Sequence, residues 1–309
     1  MASSELKQVT GKLQADWRRV LGQAYGSDEE RLAAIRAFQD ASMFPAPEGT
    51  TTIEADADGV PGEWVLAPDA DPSRRLLYLH GGAYVFGGLD SHRDLAARLS
   101  AASGCAVLQV DYRRAPEHPY PAAPDDALKS FRWIRDHGPG RAGPADRVFI
   151  AGDSAGGALT LLTTIAVRDA GERMPSAAVT LSAWTDVAGT GESAKTNRDV
   201  DVLISAIDDR LNDIMGGYLS GADPTSPNVS PLYADFTGFP PLLMQVGAYE
   251  SLLDDTRRVA EKAKDAGVDV TVEIWPEMFH QWQMWAPVLP EGQQAIDSIG
   301  KFLKKHGGR

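Results

Sequence analysis

Residues 147–167 read RVFIAGDSAGGALTLLTTIAV, an apolar β-type run that breaks at Gly152-Asp-Ser154-Ala-Gly156 and resumes as a helix-forming run. The break matches G-x-S-x-G. A strand that turns at once into a helix needs residues without side chains on both sides of the turn, because the two backbones nearly touch there. The geometry holds the serine hydroxyl out at the end of a sheet and aims the following N–H at developing negative charge. Alone the motif is weak, since Gly, Ala and Ser are common in turns, but its strand-turn-helix setting gives it weight. Ser154 is therefore read as a nucleophile, with the Ala155 N–H as an oxyanion donor.

Working outward, strand patterns alternate with helical ones from about Thr51 to Lys305. The strand candidates are EWVLAP, RLLYLH, CAVLQVDY, RVFIAG, AAVTLSAW, PPLLMQVG and VTVEIW. Helical patterns fill Asp90 to Ser103, Ala123 to His137, Ala155 to Ala170 and Asp255 to Ala266, the last stopped by Gly267. This order predicts an α/β fold, a mostly parallel central sheet with helices on both faces. Two segments do not fit the alternation. Near the N-terminus, Ser27 to Glu30 reads as a capping box, followed by Leu32, Ile35 and Phe38 at helical spacing. Between AAVTLSAW and PPLLMQVG, the residues Ile207, Leu211, Ile214, Met215 and Tyr218 fall on one helix face. Long insertions in compact domains are usually functional, so the two are read as one helical cap. The expected division is residues 1–47 and 188–232 for the cap, and 48–187 with 233–309 for the catalytic domain.

Composition bounds the function. Of 309 residues, 43% are hydrophobic and 24% charged, values of an ordinary folded protein, and the net charge is -13. Such acidity gives no basic surface for phosphates, so neither nucleic acid nor an anionic membrane is an expected partner. The single cysteine, Cys105, lies in the apolar run CAVLQV and is read as a small buried hydrophobe. Neither a signal-peptide pattern nor a membrane-spanning run is recognisable, so a cytoplasmic location is expected.

Upstream of the elbow, Leu79-His80-Gly81-Gly82-Ala83-Tyr84 follows the strand RLLYLH, where small residues let backbone N–H groups approach a carbonyl oxygen. Gly81, Gly82 and Ala83, with Ala155, are the candidate oxyanion hole. Taken together, HGGAYVFGG, DYRRAPEHPYPAAPDDA, GDSAGG, VGAYESLLDDTRRVAEKAKDAGVDV and WPEMFHQW resemble, in content and order, the bacterial hormone-sensitive-lipase family of esterases. The resemblance spans about Leu76 to His280. It implies the α/β-hydrolase fold, hydrolysis of short-acyl esters under a helical cap, no cofactor, and a structural role for His80. Two positions depart from the family pattern: Ala83 replaces the usual third glycine, and Arg114 replaces a leucine.

The base follows by chain order, which in this fold runs Ser, acid, His. His92 and His118 precede the nucleophile, His137 ends a helix and His306 lies in the charged tail. His280, after VTVEIW and a turn, remains, and the family's histidine loop agrees. The acid must lie just past PPLLMQVG, where Glu250, Asp254 and Asp255 are available. The alignment with the family puts Glu250 at the position usually held by aspartate, while Asp254 and Asp255 fall at a helix start, where acids meet the helix dipole. Trp184 and Tyr84 are candidate substrate-lining residues or, equally, packing under the cap. Asp111 and Glu117 are expected in a buried network under the top loops. Trp282 and Trp285 are read either as a homodimer contact or as packing. No metal-ligand spacing or phosphate loop is recognisable. The expected partners are a small ester and water; a lactonase, an amidase or a non-catalytic binding protein on the same fold are the alternatives.

Overall fold

The computed structural model describes residues 3–207 and 209–307. The strands in chain order are β1 (Thr51–Asp56), β2 (Pro61–Leu66), β3 (Asp71–Leu79), β4 (Cys105–Val110), β5 (His137–Gly138), β6 (Arg141–Ala142), β7 (Arg147–Asp153), β8 (Ala178–Leu181), β9 (Leu242–Gly247) and β10 (Val270–Trp275). Eight of them form one sheet in the order β1-β2-β4-β3-β7-β8-β9-β10, while β5 and β6 pair separately. From β4 to β10 the strands run parallel, and β2 is antiparallel to both β1 and β4. Strands β4, β8 and β9 are buried at every position, which is why they read as continuous apolar runs rather than alternating ones.

The alternation of side chains along β3 divides the core. Leu76 and Tyr78 face Leu95 and Leu99 of α3 (Leu89–Ser103) and Ile296, Ile299 and Phe302 of α9 (Pro290–His306). Leu77 and Leu79 belong to the opposite layer, with Phe131 of α4 (Ala122–Ile134), Leu159 of α5 (Ala155–Asp169) and Val259 of α8 (Leu253–Asp265). Strand β1 is absent from the sequence-based reading. Its signal was present, since Asp58 and Gly59 (φ 60° and 85°) make a tight Asp-Gly hairpin turn closed by Ala57 N–H to Val60 O at 2.8 Å.

The N-terminal segment folds as α1 (Glu5–Leu21) and α2 (Asp28–Ser42). Ser27 caps α2 by accepting the Glu30 N–H at 3.1 Å, but the Glu30 carboxylate reaches back to the Gly26 N–H at 2.8 Å, one residue beyond the expected capping box. The second insertion contains α6 (Ser193–Thr196), a 3-10 turn over Ile204–Ala206 and α7 (Asp209–Gly216). Helix α1 touches that turn, so the two segments that interrupt the alternation meet in space.

Candidate active site

Ser154 stands between β7 and α5 with φ 52° and ψ -118°, a conformation that costs a non-glycine residue energy and persists where surrounding structure enforces it. Enforcement comes from close packing. A Cβ at Gly156 would lie 1.9 Å from the Leu79 carbonyl oxygen, and one at Gly152 would lie 2.3 Å from that of Gly156. No side chain fits at either position. The Ser154 N–H donates to Leu181 O at 2.9 Å, fixing the turn against β8.

His280 follows β10, and its Nδ1 lies 2.9 Å from Oε2 of Glu250, with both residues buried. The other carboxylate oxygen of Glu250 accepts from the Ser182 hydroxyl at 2.7 Å and from the Gly247 N–H. Ser182 also accepts the Gln281 N–H at 3.3 Å, so one hydroxyl just past β8 joins the acid to the residue after the histidine. Burial opposes the imidazolium, but the hydrogen bond and charge of Glu250, with the charges of Asp201 and Asp153, outweigh it and hold His280 above the usual imidazole range. Asp254 is turned elsewhere, accepting the Ser193 N–H at 2.8 Å. Asp255 is more than a helix-start charge: its buried carboxyl accepts the N–H groups of Thr185 and Asp186 at 2.7 and 2.8 Å, and burial pushes it up to about 7.

In the loop after β3, Ala83 and Tyr84 both have positive φ, 51° and 63°. Gly81 departs from the expectation of an oxyanion donor, because its N–H donates to Asp153 Oδ1 at 3.0 Å. The N–H groups of Gly82, Ala83 and Ala155 have no acceptor among the described residues. Buried Asp153 ties the site together: it accepts from the Tyr78 hydroxyl at 2.6 Å and from the Gln281 amide, and His92 lies 3.4 Å away. His80 is buried and stacked on Tyr112, with Nδ1 donating to Gly81 O at 2.7 Å. Burial, then His92, pushes it down to about 3, so it is a neutral packing residue.

A cavity of about 200 Å³ contains Ser154 and His280 and is walled by Ala83, Trp184, Leu203, Ile207, Leu211 and Met215. Trp17 of α1 closes its near side, a contribution the sequence reading lacks although Leu6, Val9, Leu13 and Trp17 repeat at helical spacing. Tyr84 is fully buried and stacks on Tyr218, ring centroids 3.8 Å apart, which makes it packing beneath the wall, whereas Trp184 lines the space. Asp111 and Glu117 are not buried: Asp111 pairs with Arg114 at 3.0 Å, and Glu117, 53% exposed, pairs with Arg36 of α2 at 2.7 Å. Trp282 and Trp285 are buried within the chain, the latter against Phe44, so these two side chains pack internally.

A central sheet with this strand order and a serine on a strained turn at the end of β7 define an α/β-hydrolase. Residues 76–284 match the family described as alpha/beta hydrolase fold. An acetyl-hydrolase of Streptomyces hygroscopicus is 42% identical over 308 residues, covering 100% of this chain and 99% of that protein, and an esterase of Acinetobacter venetianus is 37% identical over 79% of this chain and 78% of its own length. Among solved structures, an esterase from the bacterial hormone-sensitive lipase family superposes with a TM-score of 0.89 at 41% identity, with 100% of both chains covered. The chain belongs to the bacterial hormone-sensitive-lipase family of carboxylic-ester hydrolases.

Proposed function

We propose that Ser154, His280 and Glu250 are the triad of a two-step acyl transfer to water, acting on esters with short acyl groups. His280 takes the Ser154 hydroxyl proton through Nε2 as Oγ attacks the ester carbonyl carbon, and the N–H groups of Gly82, Ala83 and Ala155 hold the oxyanion. The imidazolium gives its proton to the departing alkoxide. Water, deprotonated by the same nitrogen, then attacks the acyl-enzyme, and Ser154 leaves with the proton. Glu250 fixes the tautomer and balances the charge of the imidazolium. The observation that carries this reading is the 2.9 Å pairing of Glu250 with His280, which lines one cavity with the strained Ser154.

The N-terminal helices and the 188–232 insertion act as a cap, and the apolar lining of Trp17, Trp184, Leu211 and Met215 around a cavity of about 200 Å³ supports a preference for short acyl chains. A phosphonate inhibitor should add one mass increment to the parent and none to Ser154→Ala, and an adduct on the variant would overturn the assignment. A panel of p-nitrophenyl esters of graded acyl length, with a lactone and an anilide beside them, tests the substrate class. Higher kcat/KM for long acyl chains would contradict the pocket reading.

A further inference from the structure

The loop from Ala248 to Asp254, which leaves β9 with Glu250 on it, meets only part of its backbone demand from within, through Glu250 N–H to Gly247 O and Leu253 N–H to Glu250 O, both at 3.2 Å. Buried peptide groups need partners, and five further bonds to this loop come from residues 193–201 of the insertion. Asn197 Nδ2 donates to the carbonyls of Ala248 and Glu250 at 3.1 and 2.9 Å. The Ser193 hydroxyl donates to Ser251 O at 2.8 Å and accepts the Asp254 N–H at 2.9 Å. Asp201, fully buried, accepts the Ser251 N–H through Oδ2 at 2.7 Å. Its Oδ1 accepts the N–H groups of Leu203 and Ile204, both at 3.2 Å, and those two residues line the cavity around Ser154.

We propose that Asp201 is a positioning residue for the triad acid, through which the insertion serves as the scaffold of the Glu250 loop as well as a cover over the cavity. The proposal rests on the reading of Glu250 as the acid. One carboxylate holds both the residue next to Glu250 and the cavity wall, so displacement of that wall is transmitted to the acid. Asp201 also contributes charge. The ionised groups acting on His280 are Glu250 on its own loop, Asp201 on the insertion and Asp153 at the elbow, and each favours the imidazolium.

The two contributions separate in a pH profile of kcat/KM with p-nitrophenyl acetate, measured beside thermal stability for the parent, Asp201→Asn, Asp201→Glu and Asn197→Ala. Removing the anion lowers the proton affinity of His280, so in Asp201→Asn the acidic limb should move to lower pH by roughly half a unit. Its plateau kcat should fall about tenfold from misplacement of the acid. Asp201→Glu keeps the charge and should keep the limb of the parent. Asn197→Ala loosens the loop without changing charge and should lower kcat with the limb unmoved. A folded Asp201→Asn with the parent's limb and kcat would overturn the proposal. Should that variant not fold, a normal kcat in Asn197→Ala would overturn it instead. Glu250→Gln is measured in parallel: if it stays active, the triad reading fails, whereas if it is crippled and the Asp201 and Asn197 variants behave like the parent, only the scaffold proposal fails.

Discussion

Glu250→Gln tests the acid directly, and the structure sets its expected size. A glutamine keeps one oxygen for the Ser182 hydroxyl and the Gly247 N–H, so the loop has no reason to move. Its NH2 then faces His280 Nδ1, 2.9 Å from the present carboxylate oxygen. The imidazole must turn to the tautomer that accepts at Nδ1, which places its proton on Nε2 and leaves it unable to take one from Ser154. If it ionises, a buried cation has lost its partner, which costs about 3–5 kcal/mol. At about 1.36 kcal/mol per tenfold, kcat should drop by about 10²–10⁴. The assay is steady-state hydrolysis of p-nitrophenyl acetate on the alkaline plateau, with thermal unfolding recorded beside it. KM and Tm should change little. Asp254→Asn is the matched control, expected to keep kcat and lose on the order of 1 kcal/mol of stability or less. A kcat within tenfold of the parent in Glu250→Gln, beside a crippled Asp254→Asn, would refute the reasoning.

The pH profile of the parent should show an acidic limb with its midpoint above 6.5, because His280 is raised above that value and the reaction needs the neutral base, so activity is gained as pH rises through the folded pKa; a midpoint at or below 6.5 would contradict this. Gly156→Ala should abolish the native elbow, since its Cβ would lie 1.9 Å from Leu79 O and 2.5 Å from His80 O, and loss of both soluble yield and activity is the readout. Arg36→Gln releases the Val85 and Ala115 carbonyls, bonded at 2.8 and 3.1 Å, and should raise KM more than it lowers kcat. The same arginine, through its hydrogen bond, holds Glu117 down to about 2 from 4.5, so the pairing contributes above pH 4.5 and is lost as pH falls toward 2. With Glu117 53% exposed, that contribution is small and salt-sensitive, and Tm scans of both proteins from pH 5 to 2 should converge.

The fold was legible because buried parallel strands are written as unbroken apolar runs such as CAVLQV and LLMQVG, and because Gly152 and Gly156 mark a backbone contact that no other residue permits. Ser154 was read from the strand-turn-helix setting of its motif, His280 from chain order and Glu250 from position and resemblance, and the structure brings Glu250 and His280 within hydrogen-bond distance. What escaped notice depends on pairs remote in sequence. Nothing around Ser182 announces that its hydroxyl meets Glu250, 68 residues on, and nothing in GDSAG tells that Asp153 has captured the Gly81 N–H. Asp111 and Glu117 were expected in a buried network under the top loops, yet both are at least partly exposed, and the arginine that pairs with Glu117 comes from α2, far upstream.

Ser154 leaves the sheet from β7, Ser182 from β8, the Glu250 loop from β9 and the His280 loop from β10, four strands adjacent in the sheet. No two of these groups are neighbours along the chain. Their assembly therefore waits on parallel pairings that close long loops, the slow class of contact in folding. A chain that has paired only β3, β4 and β7 lacks the Glu250 and His280 loops and the β8 carbonyl that fixes the Ser154 turn, and is expected to be catalytically silent however native its helices. Recovery of esterase turnover thus reports completion of the β8-β9-β10 edge, which the return of helical signal alone does not.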